Sequence, residues 1–445
     1  WLANSYLKGI KEGIYTDKEL NEKVRRVLRL TFRTAMNNDR PWGSMVSDAH
    51  KTACRKIGEE GIVLLQNNAN LLPINLSKVK RIAVIGENAI KMMTVGGGSS
   101  SLKVKYEVTP LEGLKKRIGE QAEIIYARGY VGDPTGEYNG VKTGQNLKDD
   151  RSPKELRTEA LQVASNADIV LFIGGLNKSE YQDCEGTDRK TMDLPYNQNE
   201  LIMDLLQVNK KLVVINISGT GVAMPWKNHV STILQAWYLG SETGNALASI
   251  LMGDVNPSGK LPYTYYACLN QCGAHKLGEY PGHKGMDVLG NKVYDIPYNE
   301  GLFVGYRFID KNKLKPNFPF GHGLSYTTFE YGKAKVNSKA IEKSEKLYIT
   351  IPITNTGNRA GAEVVQLYIK CLNSSVIRPI KELKGFCKVE LQPNETKEIS
   401  FTITAEELSF FDEKQHKWIA EPGKFEALMA SSSADIRSKV CFELK

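Results

Sequence analysis

The chain has 445 residues and a hydrophobic content of 41%, which is enough for two or three globular domains with ordinary cores. Its 59 basic and 50 acidic residues give a formal net charge of +9. The lysines are scattered and form no basic run with interleaved aromatic residues, which argues against a nucleic-acid partner. No apolar segment approaches the ~20 residues that span a bilayer, so no membrane partner is expected.

Seven cysteines are spread over the chain without a dense framework, so no disulfide scaffold is implied. Cys268 and Cys272 form the only close pair in the sequence. With no second pair and no neighbouring His-x-His arrangement, a loop disulfide or two free thiols is favoured over a zinc site. Neither a metal nor a cofactor is expected.

The chain begins at Trp1, without an initiator methionine and without the charged-then-apolar pattern of a signal peptide. We interpret it as a processed, truncated or fragmentary product. Its localisation is therefore open: periplasmic or secreted if the missing N-terminus carried a signal, and otherwise cytoplasmic.

Residues 1–47 predict two helices and a linker. A cap at Asp17 begins the second helix, whose apolar side chains recur at helical spacing with arginines on the other side. These apolar residues are Leu20, Val24, Val27, Leu28, Leu30 and Phe32. Two helices cannot form a domain alone, and the segment around Pro41 breaks the pattern as a linker.

Residues 48–265 alternate helix and strand patterns, which predicts a largely parallel α/β sandwich. The predicted helices cover residues 50–67, 110–118, 153–164, a segment from residue 197, and 243–252. The predicted strands cover residues 81–86, 122–126, 167–175, 212–217 and 233–238.

The strand at residues 167–175 is a continuous apolar run closed by glycines, typical of a strand that is buried on both faces. A polar loop, residues 177–195, follows its C-terminal end, where open α/β sheets bind ligands. Asn197 and Glu200 then predict a capping box at the start of the next helix. The loop is therefore a candidate functional site.

The polar loop contains carboxylates that could serve chemistry: Glu180, Asp183, Glu185, Asp188 and Asp193. Any one of them could instead be a solvated loop charge or a cap, the usual state of a surface carboxylate. Cys184 adjoins Glu185, but no histidine lies near it in sequence, so thiol catalysis is not favoured.

Glycines follow the first parallel strand at Gly86 and again at residues 96–98, just before three serines. The chain has no GxxxxGK[ST] sequence, and these glycines lie too far beyond the strand for GxGxxG. A phosphate- or nucleotide-binding α/β protein is therefore only a third interpretation.

Residues 266–329 lack periodicity and are rich in Gly, Tyr and Pro, which predicts an irregular strap between domains. His322 lies between two glycines there, and structural packing is favoured over a role as a base.

Over residues 330–445 apolar and polar residues alternate with a period of two, and turn residues separate the alternating segments. This pattern predicts a seven-strand β-sandwich of about 110 residues.

Three segments together resemble glycoside hydrolase family 3. They are Glu185-Gly186-x-Asp188-Arg189 in the polar loop, YNEGLFVGYR at residues 298–307, and FPFGHGLSYT at residues 318–327. The resemblance covers essentially the whole chain. It implies that residues 1–47 are remnant helices of a TIM barrel, that residues 48–265 are an α/β sandwich, and that residues 330–445 are a fibronectin type III-like domain.

The resemblance also implies a retaining β-glycosidase, most simply an exo-acting β-glucosidase, that hydrolyses small oligosaccharides or aryl β-glycosides. Glu185 would be its catalytic acid/base. The implied sugar-binding residues are Gly98, Ser99, Ser100, Asp183 and Arg189. Plain loop flexibility at the Gly/Ser segment, and an Asp188–Arg189 pair that only fixes the loop, are alternatives.

The family's nucleophile is an aspartate in a Ser-Asp-Trp or similar motif on the barrel, and Ser47-Asp48-Ala49 does not fit that pattern. The chain is thus expected to supply the acid/base half of a site and to be inactive alone. Its expected partner is the N-terminal TIM-barrel domain of the full-length protein. A β-xylosidase, and a non-catalytic carbohydrate-binding or accessory fragment, are the other possibilities.

Overall fold

The computed structural model describes residues 3–94, 97–99, 101–132, 137–138, 141–142, 144–287 and 290–445. The chain forms two compact units, residues 1–50 and residues 51–445, which are described separately.

The first unit contains two complete helices, as predicted: α1 (Ala3–Lys11) and α2 (Asp17–Arg33). It also contains the first three residues of a third helix, α3 (Asp48–Gly61), which is described with the second unit. The predicted cap at Asp17 is wrong by one residue. Thr16 caps α2 through a capping box, in which its hydroxyl accepts from the Glu19 amide and the Glu19 carboxylate accepts from the Thr16 amide. No residue of α2 is buried, and its apolar side chains Val27 and Leu30 are 65% and 64% exposed.

The second unit begins with an α/β domain built on a six-stranded sheet. Its elements, in chain order, are α3 (Asp48–Gly61), β1 (Val63–Asn67), β2 (Arg81–Ile85), α4 (Pro110–Ile118), β3 (Glu123–Ala127), β4 (Glu137–Tyr138), β5 (Val141–Lys142), α5 (Pro153–Ser165), β6 (Ile169–Gly175), α6 (Gln198–Val208), β7 (Leu212–Ile217), β8 (Thr232–Gln235) and α7 (Thr243–Met252). The strand order is β1-β8-β7-β6-β2-β3, and only β1 runs antiparallel to its neighbour.

Strand β6 lies centrally in this sheet, between the parallel strands β2 and β7. All seven of its residues are buried. Val170 and Phe172 join the core that includes α5 and α6, while Ile169, Leu171 and Ile173 join the core that includes α4 and α7. The two helix-covered faces explain why the strand's sequence is apolar throughout, and the predicted largely parallel α/β sandwich is confirmed.

Two predictions near this sheet are wrong in detail. Residues 63–67 were predicted as the end of a helix, but α3 ends at Gly61 and the following residues pair with β8 as strand β1. Asn197 precedes α6 but makes no capping hydrogen bond, because its backbone is left-handed with φ 55°. Instead, the Gln198 amide group exchanges two 2.8 Å hydrogen bonds with the Gly175 backbone, which ties α6 to the end of β6.

The strap at residues 266–329 is more regular than predicted. It contains α8 (Gly273–Lys276), a hairpin of β9 (His283–Met286) and β10 (Lys292–Asp295), and α9 (Tyr306–Lys311). His322 packs there as predicted: its ring Nε2 lies 2.9 Å from the Leu65 carbonyl oxygen, and burial lowers its pKa.

The chain ends in a β-sandwich whose residues are all described. Its elements are β11 (Phe329–Tyr331), β12 (Lys335–Val336), β13 (Ala340–Ile341), β14 (Leu347–Asn355), β15 (Gly361–Cys371), β16 (Glu382–Leu391), β17 (Thr396–Ile403), α10 (Ala405–Leu408), β18 (Phe410–Asp412), β19 (Lys417–Ile419), β20 (Gly423–Ser432) and β21 (Asp435–Leu444). A four-stranded sheet packs on a five-stranded sheet, and β18–β19 form a separate hairpin. The prediction of seven strands missed the short edge strands, because two or three residues carry no readable alternation.

Candidate functional site

The polar loop, residues 177–195, leaves the C-terminal end of β6 as predicted and meets the Gly/Ser segment that follows β2. The backbone amide of Glu185 donates to the Gly97 carbonyl at 3.0 Å. In return, the Glu185 carboxylate accepts from Ser99, with 2.7 Å between the Ser99 amide nitrogen and Glu185 Oε2. The Ser99 hydroxyl donates to the same oxygen. The fold thus brings together Glu185, Gly98 and Ser99, which are far apart in sequence.

The Ser99 hydrogen bonds set the electrostatics of Glu185. The hydroxyl and then the amide of Ser99 stabilise the ionised carboxylate, and they lower the pKa of Glu185 below its ordinary value. The residue is exposed, so its carboxyl group can reach a molecule bound outside the domain.

Gly98 permits this close approach. Its φ of +92° disfavours any residue with a side chain, and a Cβ atom there would lie 2.6 Å from Glu185 Oε2. A glycine is therefore required directly beneath the Glu185 side chain.

Glu107 anchors the residues just before the Gly/Ser segment (residues 96–101), a role that the sequence did not predict. Its buried carboxylate accepts from the Met93 amide at 2.7 Å and from the Thr94 amide at 3.0 Å. The chain is therefore held just before the segment by Glu107 and within the segment by Glu185.

The carboxylate of Asp183 is engaged by the β7–β8 connection and by Tyr238, which follows β8. It accepts from the Gly219 amide at 2.7 Å, from the Tyr238 hydroxyl at 2.9 Å, and from the Thr220 hydroxyl. Arg189 donates to the same connection, to the Thr220 hydroxyl at 3.1 Å and to the Gly221 carbonyl at 2.5 Å. Both side chains therefore fix the loop onto a neighbouring strand end.

The alternative of an Asp188–Arg189 pair finds no support among the contacts of the described residues. Asp188 accepts a hydrogen bond from the Tyr280 hydroxyl of the strap, while Arg189 turns to the β7–β8 connection. Each residue does fix the loop, but through its own partner. Ser100, the remaining predicted sugar-binding residue, lies outside the described residues.

A cleft of about 600 Å³ lies beside the loop. Its walls come from the polar loop, the β7–β8 connection, the residues after β8 and the strap, and they include Cys184, Thr187, Arg189, Tyr238, His275 and Tyr280. The Cys184 sulfur lies 2.8 Å from the Thr187 hydroxyl, so the thiol is engaged within the loop. The cleft residues that come from the strap could not be predicted, because the strap sequence has no helical or strand periodicity.

Within the described ranges, no group of three or more His, Cys, Asp or Glu side chains is arranged to hold a metal ion. Nor does any helix in the described part of the chain have the length and apolarity needed to cross a membrane.

The fold and the loop define the class of protein. Residues 62–326 match the glycosyl hydrolase family 3 C-terminal domain, and residues 363–433 match the fibronectin type III-like domain. The chain belongs to glycoside hydrolase family 3. The resemblance predicted from three sequence segments is thereby confirmed, as is the succession of an α/β domain and a fibronectin type III-like sandwich.

Individual relatives are mostly β-glucosidases. The chain is 47% identical to beta-glucosidase BoGH3A of Bacteroides ovatus, over 100% of this chain and 58% of that protein. It is 35% identical to a beta-xylosidase of Formosa agariphila, over 90% of this chain and 51% of that protein. The crystal structure of a Bifidobacterium adolescentis GH3 beta-glucosidase superposes with a TM-score of 0.84 at 31% identity, over 99% of this chain and 60% of that one. The chain therefore spans little more than half the length of these relatives.

Proposed function

We propose that this chain supplies the acid/base half of the active site of a retaining, exo-acting β-glycosidase, with β-glucosidase as the favoured activity. The observation that carries the proposal is the placement of Glu185, exposed at the C-terminal edge of the sheet and held by Ser99 from a second loop. The names of the relatives support β-glucosidase over β-xylosidase as the specificity.

In this mechanism the Glu185 carboxyl group protonates the departing glycosidic oxygen, and the resulting carboxylate then removes a proton from the attacking water. The Ser99 hydrogen bonds favour the ionised form, which is the form that the second step needs and not the protonated form that the first step needs. They also hold the carboxyl group in one orientation, so that the same atoms can serve both steps.

The proposed sugar-binding residues divide by their contacts. Gly98 and Ser99 lie at the Glu185 carboxylate and would border a bound sugar. We assign Asp183 to positioning, because its carboxylate already bonds the β7–β8 connection. Arg189 bonds the same connection through Nη2, while its Nη1 is buried without a hydrogen-bond partner among the described residues and remains a candidate donor to the sugar. Ser100 keeps its proposed role on the family resemblance alone.

A retaining enzyme needs a second carboxylate roughly 5–5.5 Å from the first, on the opposite face of the sugar. Glu180, Asp183 and Asp188 share the loop of Glu185 and can hardly approach that opposite face. We therefore assign the nucleophile to the N-terminal TIM-barrel domain of the full-length protein, with residues 1–47 as remnant helices of that barrel. On this basis the 445-residue chain alone hydrolyses no glycoside.

The test compares purified 1–445 chain with the full-length enzyme on aryl β-glucosides and aryl β-xylosides. The expected result is turnover by the full-length enzyme, faster on the glucoside, and none by the chain alone. Turnover by the chain that disappears in Glu185→Gln would show that the nucleophile lies within these residues. Sugar binding without turnover by the full-length protein would instead favour the non-catalytic carbohydrate-binding fragment.

A further inference from the structure

The cleft beside the polar loop has the size and position of a ligand site. Its volume of about 600 Å³ falls within the roughly 300–1,000 Å³ that small-molecule sites occupy. Cys184 and Thr187, which lie on either side of Glu185 in the sequence, both line it. The cleft therefore adjoins the part of the loop that carries the proposed acid/base.

The carboxylates of this cleft are engaged by the protein itself. Asp183 accepts three hydrogen bonds, and Asp188 accepts one from the Tyr280 hydroxyl. The Nη2 group of Arg189 donates to the β7–β8 connection. Both carboxylates thus have donors within the chain and need none from a ligand.

The Lys178 side chain differs from these groups. It is half-buried and lines the cleft, and its Nζ lies over the Tyr238 ring, 5.3 Å from the centroid. Within the described ranges, this Nζ has no hydrogen-bond acceptor and no ion-pair partner. A half-buried amine without an acceptor keeps its donors for a molecule that enters the cleft.

The remaining walls suit a pyranose ring. The aromatic side chains of Tyr238, His275 and Tyr280 line the cleft, and the last two are in contact, with ring centroids 5.3 Å apart. Rings combined with a few placed polar groups are typical of small-ligand sites. A sugar presents C–H faces to such rings and hydroxyl oxygens to a donor such as Lys178.

The proposed mechanism indicates which part of the substrate comes to the cleft. The leaving group is the part attached to the oxygen that Glu185 protonates, so it departs on the side of Glu185. The nucleophile attacks the opposite face of the other sugar, and we assign it to the barrel. The leaving group therefore lies beside the polar loop, where this chain has its cleft.

We propose that the cleft binds the leaving group of the substrate, that this leaving group is a sugar, and that Lys178 donates a hydrogen bond to its hydroxyl oxygens. This assignment of specificity rests on the proposed function, because it takes Glu185 as the acid. It makes Lys178 a residue that distinguishes glycosides by what leaves.

Two kinds of substrate test this in the full-length enzyme: methyl β-glucoside, and the better of cellobiose and laminaribiose. Both kinds have poor leaving groups that need the acid, but only the disaccharide has a leaving sugar. Lys178→Met keeps an unbranched side chain over Tyr238 and removes the donors. It should lower kcat/KM for the disaccharide about tenfold, as expected for one hydrogen bond to a charged group, and leave that for methyl β-glucoside unchanged. Lys178→Arg, which keeps donors, should retain most of the disaccharide activity.

Lys190→Met is the matched control. Lys190 belongs to the same loop and also lies over a tyrosine ring, 5.8 Å from the Tyr181 centroid, but it is not one of the residues that line the cleft. This variant should hydrolyse both substrates as the wild type does. An equal loss on both substrates in Lys178→Met would show that Lys178 only supports the loop, and would overturn the proposal.

A binding measurement on the purified 1–445 chain needs no catalysis. Saturation-transfer NMR should detect the disaccharide on the chain, with binding about tenfold weaker in Lys178→Met and unchanged in Lys190→Met. Absence of binding, or equal binding by Lys178→Met, would contradict the proposal. A full-length enzyme that hydrolyses no glycoside would instead count against the proposed function, and the NMR measurement would still decide whether the cleft takes a sugar.

Discussion

Replacing Glu185 with glutamine in the full-length enzyme tests the proposed acid/base directly. The glutamine side chain has the same shape, and its amide oxygen can still accept both hydrogen bonds from Ser99. The substitution therefore removes the exchangeable proton while keeping the loop in place. General acid–base catalysis typically contributes ~10²–10⁴-fold, so kcat/KM for alkyl β-glucosides should fall by about that factor.

The comparison that decides the matter uses leaving groups of different basicity. A dinitrophenyl group departs without protonation, so kcat/KM for its β-glucoside should change little in Glu185→Gln. Added azide, which attacks without a general base, should restore turnover of the accumulated intermediate. Glu180→Gln alters an exposed carboxylate of the same loop and should leave kcat/KM for both substrates unchanged. An equal loss on alkyl and dinitrophenyl glucosides would refute the assignment and make Glu185 a structural residue.

Two further substitutions test the electrostatics of the domain. Ser99→Ala removes a hydrogen bond that lowers the pKa of Glu185; that pKa should rise, and the alkaline limb of kcat/KM should move to higher pH, since the acid then stays protonated longer. An unmoved limb would contradict this. Arg128→Met should lower the free energy of unfolding in urea by about 3 kcal/mol, because it removes the guanidinium 2.7 Å from the buried Glu87 carboxylate and leaves Lys91, 4.0 Å away, as the remaining cation of that carboxylate among the described residues. Arg81→Met, which breaks an exposed pair with a glutamate, should cost less than about 1 kcal/mol and serves as its control.

The elements best predicted from the sequence are those whose local signals agree with their surroundings. Strand β6 has a continuous apolar sequence because helices cover both faces of the sheet, so its central position could be predicted. Helix α4 occupies the predicted residues 110–118, since Thr109 forms a capping box and Pro110 begins the helix. Helix α7 ends where Gly253 adopts a left-handed conformation.

The failures lie where distant partners decide the conformation. Residues 63–67 closely follow α3, and no change of polarity in the sequence marks the end of the helix. Only their pairing with β8, about 170 residues further on, makes them a strand. Gln198 begins α6 by bonding the end of β6, which displaces the predicted role of Asn197. No local pattern could show either contact.

The same distinction applies to the site. The loop and its acidic residues could be located from the sequence, because a polar stretch after a buried parallel strand lies at the ligand-binding edge. The partner of Glu185 could not be predicted from the sequence, since Ser99 is 86 residues away in the loop that follows another strand. Nor could Tyr280, which comes from a segment without periodicity and reaches the loop through Asp188.

Four side chains of the polar loop form hydrogen bonds within residues 51–445, which bears on what the proposed barrel domain has to contribute. Asp183 and Arg189 bond the β7–β8 connection, Asp188 bonds the strap, and Glu185 bonds the Gly/Ser segment. Positions held by several such contacts need little reorganisation when a substrate arrives. On the proposed mechanism, the acid/base is therefore preorganised by this chain, and the barrel would add the nucleophile and the opposite wall of the sugar site.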